Sequence, residues 1–512
     1  GGAADYGTVL RFVERNGSFE ARPGFANPAG VLPGLQDVNA VFDGTSIPAY
    51  SDHWVSNVSD REGFLATLET TLGFAPKVDF NAGVISAGDA VIESTVIGNT
   101  APKVNSRLEA LSNQAQVYLP VNNPLSSHGH VASFLRQLGQ GVQHLASRVD
   151  DLVSFVERVN NYRTMTGKGL TFLDIPRSYY GVLTVASLMD AGCSKQLAQD
   201  TIEALEACGL SSAGGIVSLD ISMSHIETLK VPERSVAELE SKRGEVGVVV
   251  LESRYVNLLR LLEGRLTEDT YLQIVRNRIL VDVQGDDVLY QIFTCKVLQR
   301  ELGDEAPFLE FIQRVCKQCE SDEECSKKPI KAGCGGFGIR NFLTLFLSIE
   351  VSKAINQAKA AVEAKDESAE RHARDKVGLL TRQMNESNPI LTQISAAMTC
   401  EGDATERLKA LAPSSLSTAA ADASDAEWAA ERRKQDLLLQ AMSDLESAQE
   451  RKKEATSRLQ ALSDVYAKEM KDMDERYAGN AGEKLVGQGG DVEGKTCVFV
   501  PGVEALVTSQ MA

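Results

Sequence analysis

The sequence predicts an α+β chain in which a β-α-β unit recurs around a helical insert and is followed by a long helical C-terminal region. Three observations carry this. The segments SDHWVSNVSDREGFLATLETTLGF and GVQHLASRVDDLVSFVERVNNY each read as a short strand bearing a His, then an Asp, then an amphipathic helix. Their histidines, His53 and His144, lie 91 positions apart. A third strand, PFLEFIQRV, places Glu310 166 positions after His144, and setting aside residues 211–278 leaves 98, close to the first spacing. Beyond Phe346 almost all of the pattern is helical.

Taken in order, YGTVLRFVER alternates like a strand, and ARPGFANPAGVLPGLQ after it is rich in Gly and Pro. Residues 1–50 therefore read as the end of one unit and a linker. Residues 51–350 form the main unit, interrupted at 211–278 by a helical insert whose Leu258, Leu259, Leu261 and Leu262 make an apolar face. Strands resume at ILVDVQGDDVLYQIFT, so the insert is expected to leave them in register and to be removable. Residues 351–512 form a helical extension. Within it Leu438, Ala441, Leu445, Ala448, Lys452, Ala455, Leu459, Leu462, Tyr466 and Met473 follow a heptad seam. That seam fits an antiparallel or dimeric coiled coil, hence a homo-oligomer or a protein partner, and it equally fits a solvated single helix.

Bulk composition narrows the function classes. Across 512 residues, 52 Lys plus Arg stand against 70 Asp plus Glu, a formal net charge of -18 that argues against a nucleic-acid partner. No stretch approaches the roughly 20 apolar residues of a membrane span, and NFLTLFLSIEV is too short. The first residues lack an initiator Met and a signal-peptide pattern, which reads as a processed or truncated start. Nine Cys, an odd count, suit a reducing compartment. Cys316, Cys319, Cys325 and Cys334 cluster, but CKQC has no second pair at matching spacing, so free thiols are the reading over a zinc site.

Among six His, His225 and His372 sit in polar helical sequence and read as surface residues. His53 and His144 differ, because each takes the same place in a repeated strand before the same Val-Asp exit. On PFLEFIQRV the residues Phe308, Glu310 and Ile312 share one face, and a carboxylate between apolar neighbours needs a partner. An Arg, an edge position or a cation would each answer that need. Two imidazoles and a carboxylate would leave half of an octahedral iron(II) open.

Read together, LPVNNP at 119–124, GVQHLA at 141–146, LYQIFT at 289–294, FLEFIQR at 308–314 and GCGGFGIRNF at 333–342 resemble 4-hydroxyphenylpyruvate dioxygenases in order and spacing. TFLDIPRSYY at 171–180 resembles that family's segment between the halves of the catalytic domain. The resemblance implies paired βαβββ modules of the vicinal oxygen chelate type in a curved open barrel. It implies Fe(2+) on His53, His144 and Glu310, and a pocket of Ser106, Asn122, Gln143, Gln291, Phe293, Phe337 and Phe342, with Gln291 and Phe342 nearest the chemistry. Strand alternation puts Gln291 with Phe293 and Pro120 with Asn122, and turns Gln143 away from His144.

The implied activity is conversion of 4-hydroxyphenylpyruvate and O2 to homogentisate and CO2 in tyrosine catabolism, with the substrate's own 2-oxo acid chelating the metal. The alternatives are hydroxymandelate synthase, or a noncatalytic assembly protein on a degenerate dioxygenase core. The implied compartment is cytoplasmic, with a plastid the other location. The sequence departs from the family pattern at SSHGHVA, where His130 stands nearest an expected Gln, and at Ile339 and Arg340 in the final loop. It also begins inside what would be the family's N-terminal noncatalytic module.

Overall fold

The computed structural model describes residues 49–480 except 100–102, 105–116, 213, 286, 296, 298–303, 316–329, 332–335 and 412–424. The N-terminal strand and linker, Ser106 and the four clustered cysteines lie outside the described residues.

Two βαβββ units build the sheet. The first runs β1 (Ala49–Asn57), α1 (Arg61–Leu72), β2 (Ala75–Ala87), β3 (Ala90–Gly98) and β4 (Tyr118–Pro124). After α2 (Gly129–Leu138), the second opens with β5 (Gly141–Val149) and α3 (Leu152–Thr166). It closes, beyond a long helical interval, with β6 (Leu280–Gln284), β7 (Asp287–Phe293) and β8 (Phe308–Val315). The eight strands follow the order β2-β3-β4-β1-β5-β8-β7-β6. In each unit the first and last strands pair in parallel, β1 with β4 and β5 with β8, because a helical crossover returns the chain in the same direction. The units join through antiparallel β1 and β5. That junction brings the two repeated histidine strands side by side at the centre of a curved sheet.

The local signals agree between the copies. Asp60 caps α1 by accepting from the Gly63 N–H, and Asp151 caps α3 by accepting from the Ser154 N–H. Both helices end at a glycine with positive φ, Gly73 at 66° and Gly167 at 69°. α1 covers the outer face of its half, with Phe64 and Leu68 packed among Val58, Ile97, Leu119 and Val121.

The interval between α3 and β6 is helical but starts earlier than residue 211. It holds α4 (Val185–Asp190), α5 (Lys195–Ala207), α6 (Met223–Glu227), α7 (Glu233–Glu252), α8 (Val256–Leu261) and α9 (Glu268–Arg276). Its two parts differ. From Leu183 to Val250 the buried residues form a cluster of their own. Tyr255, Leu258, Tyr271, Ile274 and Ile279 instead belong to the main core with Val281, Tyr290 and Phe293. The later part of the expected insert 211–278 thus packs into the main core, and its earlier part packs within the separate cluster. Apolar helices next to a sheet bury into it rather than stand apart.

Among the described residues three long helices follow: α10 (Ile339–Ala364), α11 (Glu367–Leu411) and α12 (Asp425–Asn480). α10 lays Leu343, Phe346 and Leu347 into the main cluster with Ile92, Val96 and Phe293. α12 runs antiparallel along α11, as the order of bridges shows: His372 to Asp474 at 2.6 Å, Arg382 to Glu469 at 3.0 Å, Lys452 to Glu401 at 2.9 Å and Arg407 to Asp444 at 2.9 Å. His372 is thus half-buried in this pairing, stacked on Tyr477. The seam residues Ala441, Ala448, Ala455, Leu459, Tyr466 and Met473 are buried. Among the described residues no helix is long and apolar enough to cross a membrane.

Candidate metal centre

Strict alternation would put neighbouring residues of a strand on opposite faces, yet β1 and β5 each break it once. In their register Ser51 faces Ser147 while His53 faces Ala146, so Asp52 is an extra residue on β1. Val55 faces His144 while Ser56 faces Val142, so Gln143 is an extra residue on β5. A bulge turns the extra side chain toward its neighbour. As a result the Asp52 Oδ1 lies 2.8 Å from the His53 Nδ1, and the Gln143 Oε1 lies 3.0 Å from the His144 Nδ1. The expectation that Gln143 points away from His144 fails for this reason.

The other ring nitrogens converge on Glu310. His53 Nε2 is 3.1 Å and His144 Nε2 is 3.3 Å from the Glu310 Oε2. One ligand atom from each residue lies within 4.8 Å of the others, and all three residues are buried. Adjacent ligands of an octahedral ion with bonds of about 2.1 Å sit about 3 Å apart, so this donor set fits a first-row cation such as iron(II). The electrostatics agree. Burial alone would raise the Glu310 carboxyl, but the two imidazoles hold it down to about 2. Burial alone would lower His53, but Glu310 and Asp52 push it up to about 9. Burial dominates at His144, which is lowered. The carboxylate is thus held as an anion facing both imidazoles.

Further partners fix each ligand. The Arg314 guanidinium donates to both Asp52 oxygens at 2.8 Å and to the Gly336 carbonyl at 2.7 Å. Burial would raise the Asp52 carboxyl, yet Arg314 holds it well below the usual carboxylate range. On the other side Gln291 donates to the Glu310 Oε1 at 2.7 Å and accepts from Asn341 at 2.6 Å, and Asn341 meets the Tyr179 hydroxyl at 3.2 Å. Such outer partners orient ligands and sharpen a metal site. Two glycines bring the closing loop near: Gly336 has φ 54°, and a Cβ on Gly338 would strike the Asp282 carboxylate.

The space beside the triad is about 30 Å3 and is lined by Gln291, Phe293, Phe337 and Phe342 of the expected pocket. Phe337 stands edge-on to His53 with ring centroids 4.9 Å apart. Asn122 is buried but does not line this space, its amide donating to Asn57 at 3.2 Å. Gln143 lines a neighbouring cavity of about 440 Å3, as does His130, which pairs with Glu350 at 3.0 Å. The sequence reading missed Asp52, Arg314, Ser94, Asn341 and Leu345. Arg314 was within reach of it, since it shares a β8 face with Glu310 and Ile312. Ser94 and Leu345 carry no local signal.

No protein-family model matches the chain. It is 26% identical over 369 residues to the 4-hydroxyphenylpyruvate dioxygenase of Hordeum vulgare, a match covering 69% of this chain and 59% of that protein. It is 25% identical over 366 residues to that of Arabidopsis thaliana, covering 69% and 58%. The chain thus spans less than two thirds of the length of these relatives. A solved variant of 4-hydroxymandelate synthase from Streptomyces coelicolor aligns with a TM-score of 0.33 at 16% identity, over 62% of this chain and 57% of that one. In sequence the chain is 4-hydroxyphenylpyruvate dioxygenase-like.

Proposed function

We propose that this chain, similar over 69% of its length to 4-hydroxyphenylpyruvate dioxygenases, is an iron(II)-dependent dioxygenase that converts 4-hydroxyphenylpyruvate and O2 to homogentisate and CO2. The observation that carries the reading is the convergence of His53, His144 and Glu310 in one buried site with an oriented partner behind each. Bound iron(II) would supply open positions for a chelating 2-oxo acid and for oxygen. Everything else falls to the chain. Asp52 and Gln143 set which ring nitrogen of each histidine faces the metal. Phe293, Phe337 and Phe342 offer aromatic walls for a ring, and the Ser94 hydroxyl, fully buried at the same space, offers a polar contact.

The space of about 30 Å3 is smaller than such an acid, so admitting one requires Phe337, Phe342 and Leu345 to move outward with the start of α10. Their return excludes water. The reading is tested by loading the chain with iron(II) and following oxygen uptake and products on 4-hydroxyphenylpyruvate, with Glu310→Gln as control. One equivalent of iron, substrate-dependent uptake and homogentisate are expected of the unaltered chain, and weak iron binding of the variant. Tight iron binding without uptake would exclude this substrate, and no iron binding would overturn the centre itself.

A further inference from the structure

The cavity of about 440 Å3 adjoins the metal centre, because Phe293 and Leu345 line both it and the small space beside the triad. Two more of its walls touch a ligand of that centre. Phe308 stacks on the His144 ring with centroids 4.7 Å apart, and the Gln143 Oε1 lies 3.0 Å from the His144 Nδ1. Away from the centre the walls reach the surface at Gln137 of α2 and at Gln357 and Ala360 of α10, all three exposed. The cavity therefore runs from solvent to an inner wall made by two buried side chains, Phe293 and Leu345.

The charged groups along it are unequal. Glu350 accepts from the His130 backbone N–H at 2.7 Å, faces the His130 Nδ1 at 3.0 Å and has the Lys353 ammonium 3.9 Å away. Lys353 also pairs with Glu305 at 2.8 Å. These contacts tie α2 and the segment before β8 to α10, and they answer both carboxylates in the walls. Lys376, half-buried on α11, lines the same cavity and has no carboxylate partner among the described residues. It is thus the one unanswered charge of the lining, in a chain whose net charge of -18 repels anions. An ammonium in a cleft with low-dielectric walls acts on an approaching anion more strongly than one on open surface.

We propose that this cavity is the passage by which an anionic substrate reaches the metal centre, with Lys376 drawing in its carboxylate and Leu345 and Phe293 closing the inner end. The inference rests on the reading of the centre as one that binds a 2-oxo acid. A change of rotamer at Leu345 joins the passage to the space beside the triad while α10 stays folded. The passage selects by charge as well as by size, and α11 thereby contributes to a site built mainly from the sheet and α10.

The test is rapid mixing of the iron(II)-loaded full chain with 4-hydroxyphenylpyruvate in the absence of oxygen, measuring association and dissociation rates separately. Ala360→Trp obstructs the mouth from an exposed position, so both rates should fall roughly tenfold while iron content and affinity stay the same. A merely structural effect would instead lower affinity or iron content. Lys376→Gln should slow association about threefold at low salt, and the difference should vanish at high salt. Should Ala360→Trp not fold, Gln357→Trp obstructs the same mouth and is expected to behave alike. An association rate unchanged by the obstruction or by Lys376→Gln, with binding intact, would overturn the passage alone. No binding of the acid to the unaltered iron-loaded chain would overturn the reading of the centre, and the passage with it.

Discussion

Asp52 and Gln143 are counterparts: each is the extra residue of a bulge, each directly precedes a histidine of the triad, and each presents an oxygen to that histidine's Nδ1, at 2.8 and 3.0 Å. Their chemistry differs. Asp52 carries a charge answered by Arg314, which is 3% exposed, whereas Gln143 is neutral.

That difference predicts unequal costs. Asp52→Ala takes the carboxylate from a buried guanidinium and should lower stability by about 3–5 kcal/mol. Gln143→Ala removes one neutral bond and should cost about 1–3 kcal/mol. Both should weaken metal binding by roughly 10–100-fold. Urea unfolding and metal titration of the two variants measure this, and equal stability losses would deny the charge on Asp52 its role.

Phe342 sits in the first turn of α10, its N–H donating to the Gly338 carbonyl at 3.0 Å and its ring lining the space beside the triad. If it presses the substrate ring toward the metal, Phe342→Ile should loosen that ring and raise the share of side-chain hydroxylation, giving hydroxymandelate, with metal binding kept. If it only anchors the helix, the variant should lose up to about 3–5 kcal/mol with the product ratio unchanged. Chromatography of the products separates the two.

The helical interval should respond in two ways. Leu197 belongs to the separate cluster and Leu258 to the main core, both fully buried. Each Leu→Ala change should cost about 2–5 kcal/mol. Only Leu258→Ala should also weaken metal binding, since its cluster includes Phe293 beside the triad. An identical loss of metal affinity in both would mean that the two clusters unfold as one.

Along the α11 and α12 pair, Ala448 is fully buried at the contact. Leu has no room there, so Ala448→Leu should destabilise by about 1–3 kcal/mol. Thermal unfolding checks this. An unchanged or raised melting temperature would mean that the helices separate in solution.

Much of this molecule is legible along the chain because its signals are local. The repeat around His53 and His144 marks two units. Alternation on FLEFIQR turns Glu310 with Phe308 and Ile312, and the seam from Leu438 to Met473 marks a long helix with one apolar stripe. Each needs only residues within a turn or a strand, where periodicity and capping act. What the tertiary structure alone decided involves distant partners or a one-residue shift. The seam meets α11 of the same chain, a choice among pairings that periodicity leaves equal. Asp52 meets Arg314 262 positions away. The bulges at Asp52 and Gln143 are differences of register between two strands, and a register belongs to the pair, so neither strand's sequence contains it.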